Sequence, residues 1–239
     1  VNKIKWMVTG LGVVAIASAT LLPQATAQLV PSSLGQLKVF RGLRSFLSGP
    51  AEDRNRGRDG GSRDGGPICV INPGYGEVVW HSQPLLLLQG NIEGVALHPA
   101  DSGERLWSAL TPPSEDSLFN VQYNGDPLQP GLRYEQWVYQ VKRDLSVVEG
   151  PKIPFQIMPE GEARDRIAAE LTHLEAKLQH HGATAEEVAT ARADVFFEHN
   201  LPADGLQELF SVEAPSADLI EARMAFIQDI CSQDLPTIE

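Results

Sequence analysis

Between Pro67 and Met158 the apolar residues fall in short alternating runs separated by turn residues, and beyond Pro159 they recur at helical spacing. The first regime predicts eight strands: Ile68 to Ile71, Glu77 to His81, Leu85 to Gln89, Ile92 to His98, Glu104 to Leu110, Leu118 to Tyr123, Tyr134 to Lys142 and Ile153 to Met158. Within it, HPADSGER reads as a tight reversal, returning Trp107 beside Val95 and Leu97, with Leu106 and Trp107 helping to fill the core. The second regime predicts four helices. Ile167, Leu171, Leu174 and Leu178 form one stripe ending at His180-His181-Gly182, where glycine suits a left-handed residue. Thr184 and Glu187 make a capping box ahead of Val188, Ala191, Val195 and Phe196. A shorter helix carries Leu206, Leu209 and Phe210, and a last one, capped by Ser216, carries Leu219, Ile220, Met224, Ile227 and Ile230. The expected fold is α+β: an antiparallel β-sandwich over 67–158, then a four-helix hairpin stack over 159–239.

The N-terminal pattern is different. Lys3 and Lys5 precede an uncharged run from Trp6 to Leu22, and Ala25-Thr26-Ala27 presents small residues for cleavage before Gln28, so 1–27 reads as a signal peptide. The run is short and too diluted by Thr9, Gly10, Gly12 and Ser18 for a spanning helix of about 20 apolar residues. Residues 28–66 read as a disordered, basic, glycine-rich segment. Inside it, 34–48 places Leu34, Leu37, Phe40, Leu43 and Leu47 on one stripe, with Lys38, Arg41 and Arg44 elsewhere, a weak basic amphipathic helix suited to an anionic membrane surface. RNRGRDGGSRDGG, Arg54 to Gly66, has little to bury and reads as a linker.

Leu128-Gln129-Pro130-Gly131 followed by Tyr134 and Val138 resembles the tyrosine corner of fibronectin type III and immunoglobulin-like sandwiches, with Trp80 in the place of an early-strand packing tryptophan. Trp137, three residues after Tyr134, belongs on the opposite face of the strand. Thr184 to Val212 is similar in layout to a tetratricopeptide unit. Taken together, the leader, the linker ending before Cys69, the PG-x-x-Y strand and ARADVFFEHNLPADGLQELF resemble an exported, chiefly cyanobacterial family catalogued as a domain of unknown function. That resemblance implies a periplasmic or cell-surface setting and carries over no catalytic residue.

Charge narrows the partners. Residues 28–66 hold seven Lys or Arg against four Asp or Glu, a net of +3, whereas 67–239 hold ten against 27, a net of −17. An acidic body argues against nucleic acid, whose affinity rests on basic contacts to phosphate, and favours a cationic protein partner. Cys69 and Cys231 are the two cysteines; in an oxidising compartment they are a candidate disulfide, although Cys231 also falls in line with Ile220, Met224 and Ile227 as a buried apolar residue.

No constellation specifies a reaction. G-x-S-x-G and HEXXH are absent, and His173 and His181, eight residues apart, lack the tighter spacing of a zinc pair. Glu170, Glu175, Glu186, Glu187, Asp194 and Glu198 read as solvated helix faces. Phe196 and Phe197 are about 100° apart on their helix, so one packs inward while the other reaches the sandwich or a partner, which makes Phe197 the candidate interaction surface. The expectation is an exported, non-enzymatic interaction or scaffold protein of the envelope, with a protein partner and no cofactor. The alternatives are an envelope carbohydrate-binding module using Trp80, Trp107 or Trp137, and an envelope hydrolase.

Overall fold

The structure is a computed structural model and describes residues 68–111, 117–142 and 145–232. The signal peptide expected over 1–27 with its Ala27/Gln28 junction, the 28–66 segment and the helix expected over 34–48 lie outside the described residues. Eight strands and four helices follow one another: β1 Cys69–Asn72, β2 Val78–Val79, β3 Leu85–Gln89, β4 Ile92–Pro99, β5 Trp107–Leu110, β6 Leu118–Gln122, β7 Arg133–Val141, β8 Val147–Ile157, α1 Glu162–His180, α2 Ala185–Glu198, α3 Pro202–Phe210 and α4 Ala217–Ser232.

The strands form two sheets, β1-β3-β6 and β2-β8-β7-β4-β5. All pairings are antiparallel except β2 with β8, which run parallel at Val78 to Gln156 and Val79 to Ile157 and so correct the all-antiparallel expectation. Val70, Leu86, Leu88 and Phe119 from the smaller sheet, with Ile68 just before it, share a core with Val95, Leu97, Tyr134, Val138, Ile153, Phe155 and Ile157 from the larger. Alternation is clearest on β7, where Tyr134, Gln136, Val138 and Gln140 are buried and Glu135, Trp137 and Tyr139 are half-buried on the other face. The Tyr134 hydroxyl accepts the Gln129 N–H at 2.9 Å, the contact a tyrosine corner makes. The HPADSGER reversal joins β4 to β5 as expected, but Leu106 is exposed and adds nothing to the core.

The second face of the smaller sheet is covered by helices. Ile71 and Leu87 pack with Ala193, Phe197, Leu206, Leu209, Leu219, Phe226 and Ile230 in one cluster. That explains why β3 reads as an unbroken apolar run: Leu85 to Leu88 are buried on both faces. Cys69 and Cys231 are joined by a disulfide that fastens α4 to β1, with their Cα atoms 5.6 Å apart. A second cluster sets Ile167 and Leu171 of α1 against Val195, Phe196 and Leu201, with Trp80 and Leu174 at its margin. Gly182 takes the left-handed conformation (φ 67°), and the Thr184–Glu187 capping box forms with both reciprocal hydrogen bonds.

The buried face of α4 differs from the expected stripe. Leu219, Ile227 and Ile230 of that stripe pack inward together with Phe226, whereas Ile220 and Met224 are 45% and 66% exposed. The buried face is therefore rotated around the helix toward Phe226, as the disulfide and the position of the smaller sheet require.

Candidate functional site

The densest gathering of titratable groups lies where the β2–β3 connection meets α3. β2 is only two residues long, so the Trp80 and His81 N–H groups leave the sheet without strand partners. Asp204 supplies them: its Oδ2 accepts the Trp80 N–H and its Oδ1 the His81 N–H, each at 2.8 Å. The same Oδ1 accepts His81 Nδ1–H at 2.6 Å, and the other ring nitrogen, Nε2, lies 3.2 Å from Glu208 Oε1. Pro202 opens α3, and Asp204 sits in its first turn, where unpaired backbone N–H groups favour a carboxylate. One turn later Glu208 stands on the same face.

Arg192 of α2 extends the network. Its guanidinium donates to Glu208 Oε1 at 2.6 Å and to Glu175 of α1, so three helices and one loop are linked through charged groups. Gln207 adds a neutral clasp, accepting the Leu85 N–H at 2.9 Å and donating to the Gln83 carbonyl at 3.1 Å. Trp80 closes the side of the cluster: its ring centroid lies 5.5 Å from that of Phe196 and 5.0 Å from the Arg164 guanidinium carbon.

The electrostatics follow from this packing. Burial pulls the His81 imidazolium toward deprotonation, but hydrogen bonds to Asp204 and Glu208, with their charges, outweigh it and raise its pKa from 6.5 to about 9. Burial likewise opposes ionisation of Glu208, yet hydrogen bonds from His81 and Arg192 hold its pKa below the ordinary glutamate value. His81 is therefore a cation at neutral pH with both N–H groups directed at carboxylates. It has no free nitrogen to accept a proton, and the cluster works chemically as a buried latch.

The residues singled out in sequence are dispersed. Trp80 packs beside α1 and α2, outside the core between the sheets, because its strand ends one residue earlier. Trp107 lies partly buried against the inter-sheet core and donates its indole N–H to Asn124 Oδ1 at 2.7 Å. Trp137 stands on the outward face of β7. Phe197 is not a surface ring: it is 8% exposed and so close to Gly205 that a Cβ there would come within 2.8 Å of it. Glu175 and Glu170, expected as solvated acids, pair with Arg192 and, at 2.8 Å, with His199. Asp204 and Glu208 escaped notice in sequence, where ADGLQELF shows only a short amphipathic helix.

No family model matches this chain, and no curated protein matches it. Among solved structures, the crystal structure of CopC from Methylosinus trichosporium OB3b is similar over 40% of this chain and 97% of its own, with 16% identity and a TM-score of 0.31. Among the described residues, no group of three or more His, Cys, Asp or Glu is placed to hold a metal ion, and no helix is long and apolar enough to cross a membrane.

Proposed function

We propose that the protein is an exported, non-enzymatic interaction scaffold of the cell envelope that docks a basic amphipathic segment of an envelope protein. The observation that carries this reading is the outward stripe of α4, where Ile220 and Met224 are exposed one turn apart with the exposed acid Glu221 flanking them, three residues before Met224. A disulfide-tethered helix holds its stripe in one orientation, and the surrounding acidic charge steers a cationic partner toward it. Export is supported by the Cys69–Cys231 bond, since such bonds persist chiefly in oxidising compartments. A periplasmic or cell-surface address agrees with it. The latch at His81 supports a scaffold over an enzyme because its acids and base are spent on one another.

The fold supports the same reading. Two sheets sharing a core, with the Tyr134 corner, favour an immunoglobulin- or fibronectin-like sandwich, and α1 to α4 favour a helical hairpin stack of which α2 to α4 cover its smaller sheet. Such frames carry binding surfaces on rigid elements. The test is photocrosslinking from position 224 of the exported protein. It should yield a discrete adduct whose crosslinked peptide is basic and apolar, lost in the Ile220→Asp variant; no adduct from 224, or one indifferent to that change, overturns the proposal.

A further inference from the structure

We propose that the outward face of the five-stranded sheet around Trp137 is a second binding site, and that it takes a neutral sugar ring of an envelope glycan. The site is separate from the α4 stripe and does not depend on it. Trp137 and Tyr139 alternate outward on β7, with Arg133 and Glu135 before them and Lys152 paired with Trp137 across the ladder to β8.

The indole is held in place from beneath and from its edge. His98 of β4 stacks under it with ring centroids 3.9 Å apart and planes 17° apart, and Glu135 Oε2 accepts the indole N–H at 2.8 Å. His98 is 4% exposed, and neither of its ring nitrogens has a hydrogen-bond partner among the described residues. Such a buried, unpaired imidazole costs stability and demands an explanation. Its geometry supplies one: it is the underlay that fixes the tryptophan plane.

Above the ring lies Lys152, whose Nζ is 3.4 Å from the ring centroid. That lysine is 44% exposed and pairs loosely with Glu149, at 3.9 Å. A cation–π contact at so open a position is weak, and the side chain has a flexible stem, so it is a displaceable cover. Apart from His98, the neighbouring strand presents small residues to the two rings. Ala96 pairs with Trp137 and Gly94 with Tyr139, and Gly94 has to be glycine because a Cβ would lie 2.6 Å from the Ala109 carbonyl oxygen. The two rings therefore stand above a low floor.

Charge selects the ligand class. Arg133 and Lys152 balance Glu135 and Glu149, giving a neutral patch on a body whose 67–239 segment carries −17. A flat, pre-oriented indole ringed by balanced donors and acceptors fits the apolar face and rim hydroxyls of a pyranose. An ionic partner would call for a local excess of one sign.

The experiment uses the full protein and two soluble probes, an N-acetylglucosamine tetramer and a β-linked glucose tetramer, followed by calorimetry and by the Trp137 indole N–H resonance, assigned with Trp137→Phe. At least one probe should bind and move that resonance. Trp137→Ala should weaken binding by about tenfold or more, the scale of one lost aromatic anchor. Lys152→Ala should keep or strengthen binding, and His98→Phe, which retains the stack, should preserve it while His98→Ala weakens it. Trp107→Phe should change nothing. The inference is overturned if neither sugar binds, if binding survives Trp137→Ala in a protein with unchanged circular dichroism, or if a lysine-rich peptide and no sugar shifts the Trp137 signal. Crosslinking from position 224 persists in Trp137→Ala, so failure here and failure of the α4 reading are separately visible.

Discussion

His81 shows how one side chain can tie stability to pH. Its folded pKa, about 9, lies above the 6.5 of an unconstrained histidine, so the folded state binds the proton more tightly. The stabilisation is complete below about pH 6.5 and is lost as pH rises through about 9. At about 1.4 kcal/mol per pKa unit the full effect is on the order of 3 kcal/mol. Thermal melts from pH 6 to 10 should therefore show a fall in Tm for the native protein that is absent in His81→Gln; parallel pH profiles for the two would refute the linkage. Glu208 acts in the opposite direction, its contribution fading as pH drops through its depressed pKa. Asp204→Ala should be costlier than either. It strands the Trp80 and His81 N–H groups and leaves a buried cation short of a partner, a class of loss of about 3–5 kcal/mol measurable by urea unfolding. None of this was legible from the chain, because His81 and Asp204 are 123 residues apart and neither sits in a motif. Pairing across such a distance is set by the docking of α3, which no local spacing reports.

At the level of elements, far more could be read. Eight strands form in the expected order, but β2 keeps two of its five expected residues, β5 starts at Trp107 instead of Glu104 and β8 starts at Val147 instead of Ile153; the α2 capping box forms from Thr184 and Glu187 as local chemistry dictates. Faces were harder: the apolar residues of α4 spread around more than one side, and its tether to β1 and the presence of Ile71 and Leu87 turn Phe226 inward and leave Ile220 and Met224 outside. The parallel β2–β8 pairing was also invisible, since the pattern that marks a strand over Glu77 to His81 says nothing of its partner or direction. Two predictions belong here. Gly205 lies within α3, where alanine would ordinarily favour the helix by about 1 kcal/mol. Because the added Cβ would meet the Phe197 ring at 2.8 Å, Gly205→Ala should instead lower stability by about 1–3 kcal/mol in chemical denaturation, and a stabilised variant would contradict that contact. The Cys69–Cys231 bond closes a separation of 162 residues, worth about 5 kcal/mol in the chain-entropy account. Cys69→Ser or reduction should lower the Tm and speed proteolysis in α4 first; unchanged cleavage there would mean the bond carries little load.

At the scale of the molecule the question is whether strands and helices stand apart. The sequence suggests a boundary near residue 158, and the chain does change character there, with β8 ending at Ile157 and α1 starting at Glu162. Packing runs across that boundary. Ile71 and Leu87 are completely buried in a cluster made otherwise chiefly of helical side chains, and Ala203 of α3 belongs to the core shared by the two sheets. The latch crosses the same boundary, since the Trp80, His81 and Leu85 N–H groups find their acceptors on α3. Removing the helices would expose the second face of β3 and leave those donors unpaired, penalties that a small sheet pair has little reserve to absorb. The strands and helices should therefore unfold in one cooperative transition, with far-ultraviolet circular dichroism and tryptophan fluorescence tracing the same urea midpoint. A fragment spanning 67–158 should lack native near-ultraviolet dichroism and bind a hydrophobic dye. Two separated transitions, or a fragment with native spectra, would mean that the shared cluster is a contact between independent units and that the frame proposed for partner binding is hinged where the latch implies rigidity.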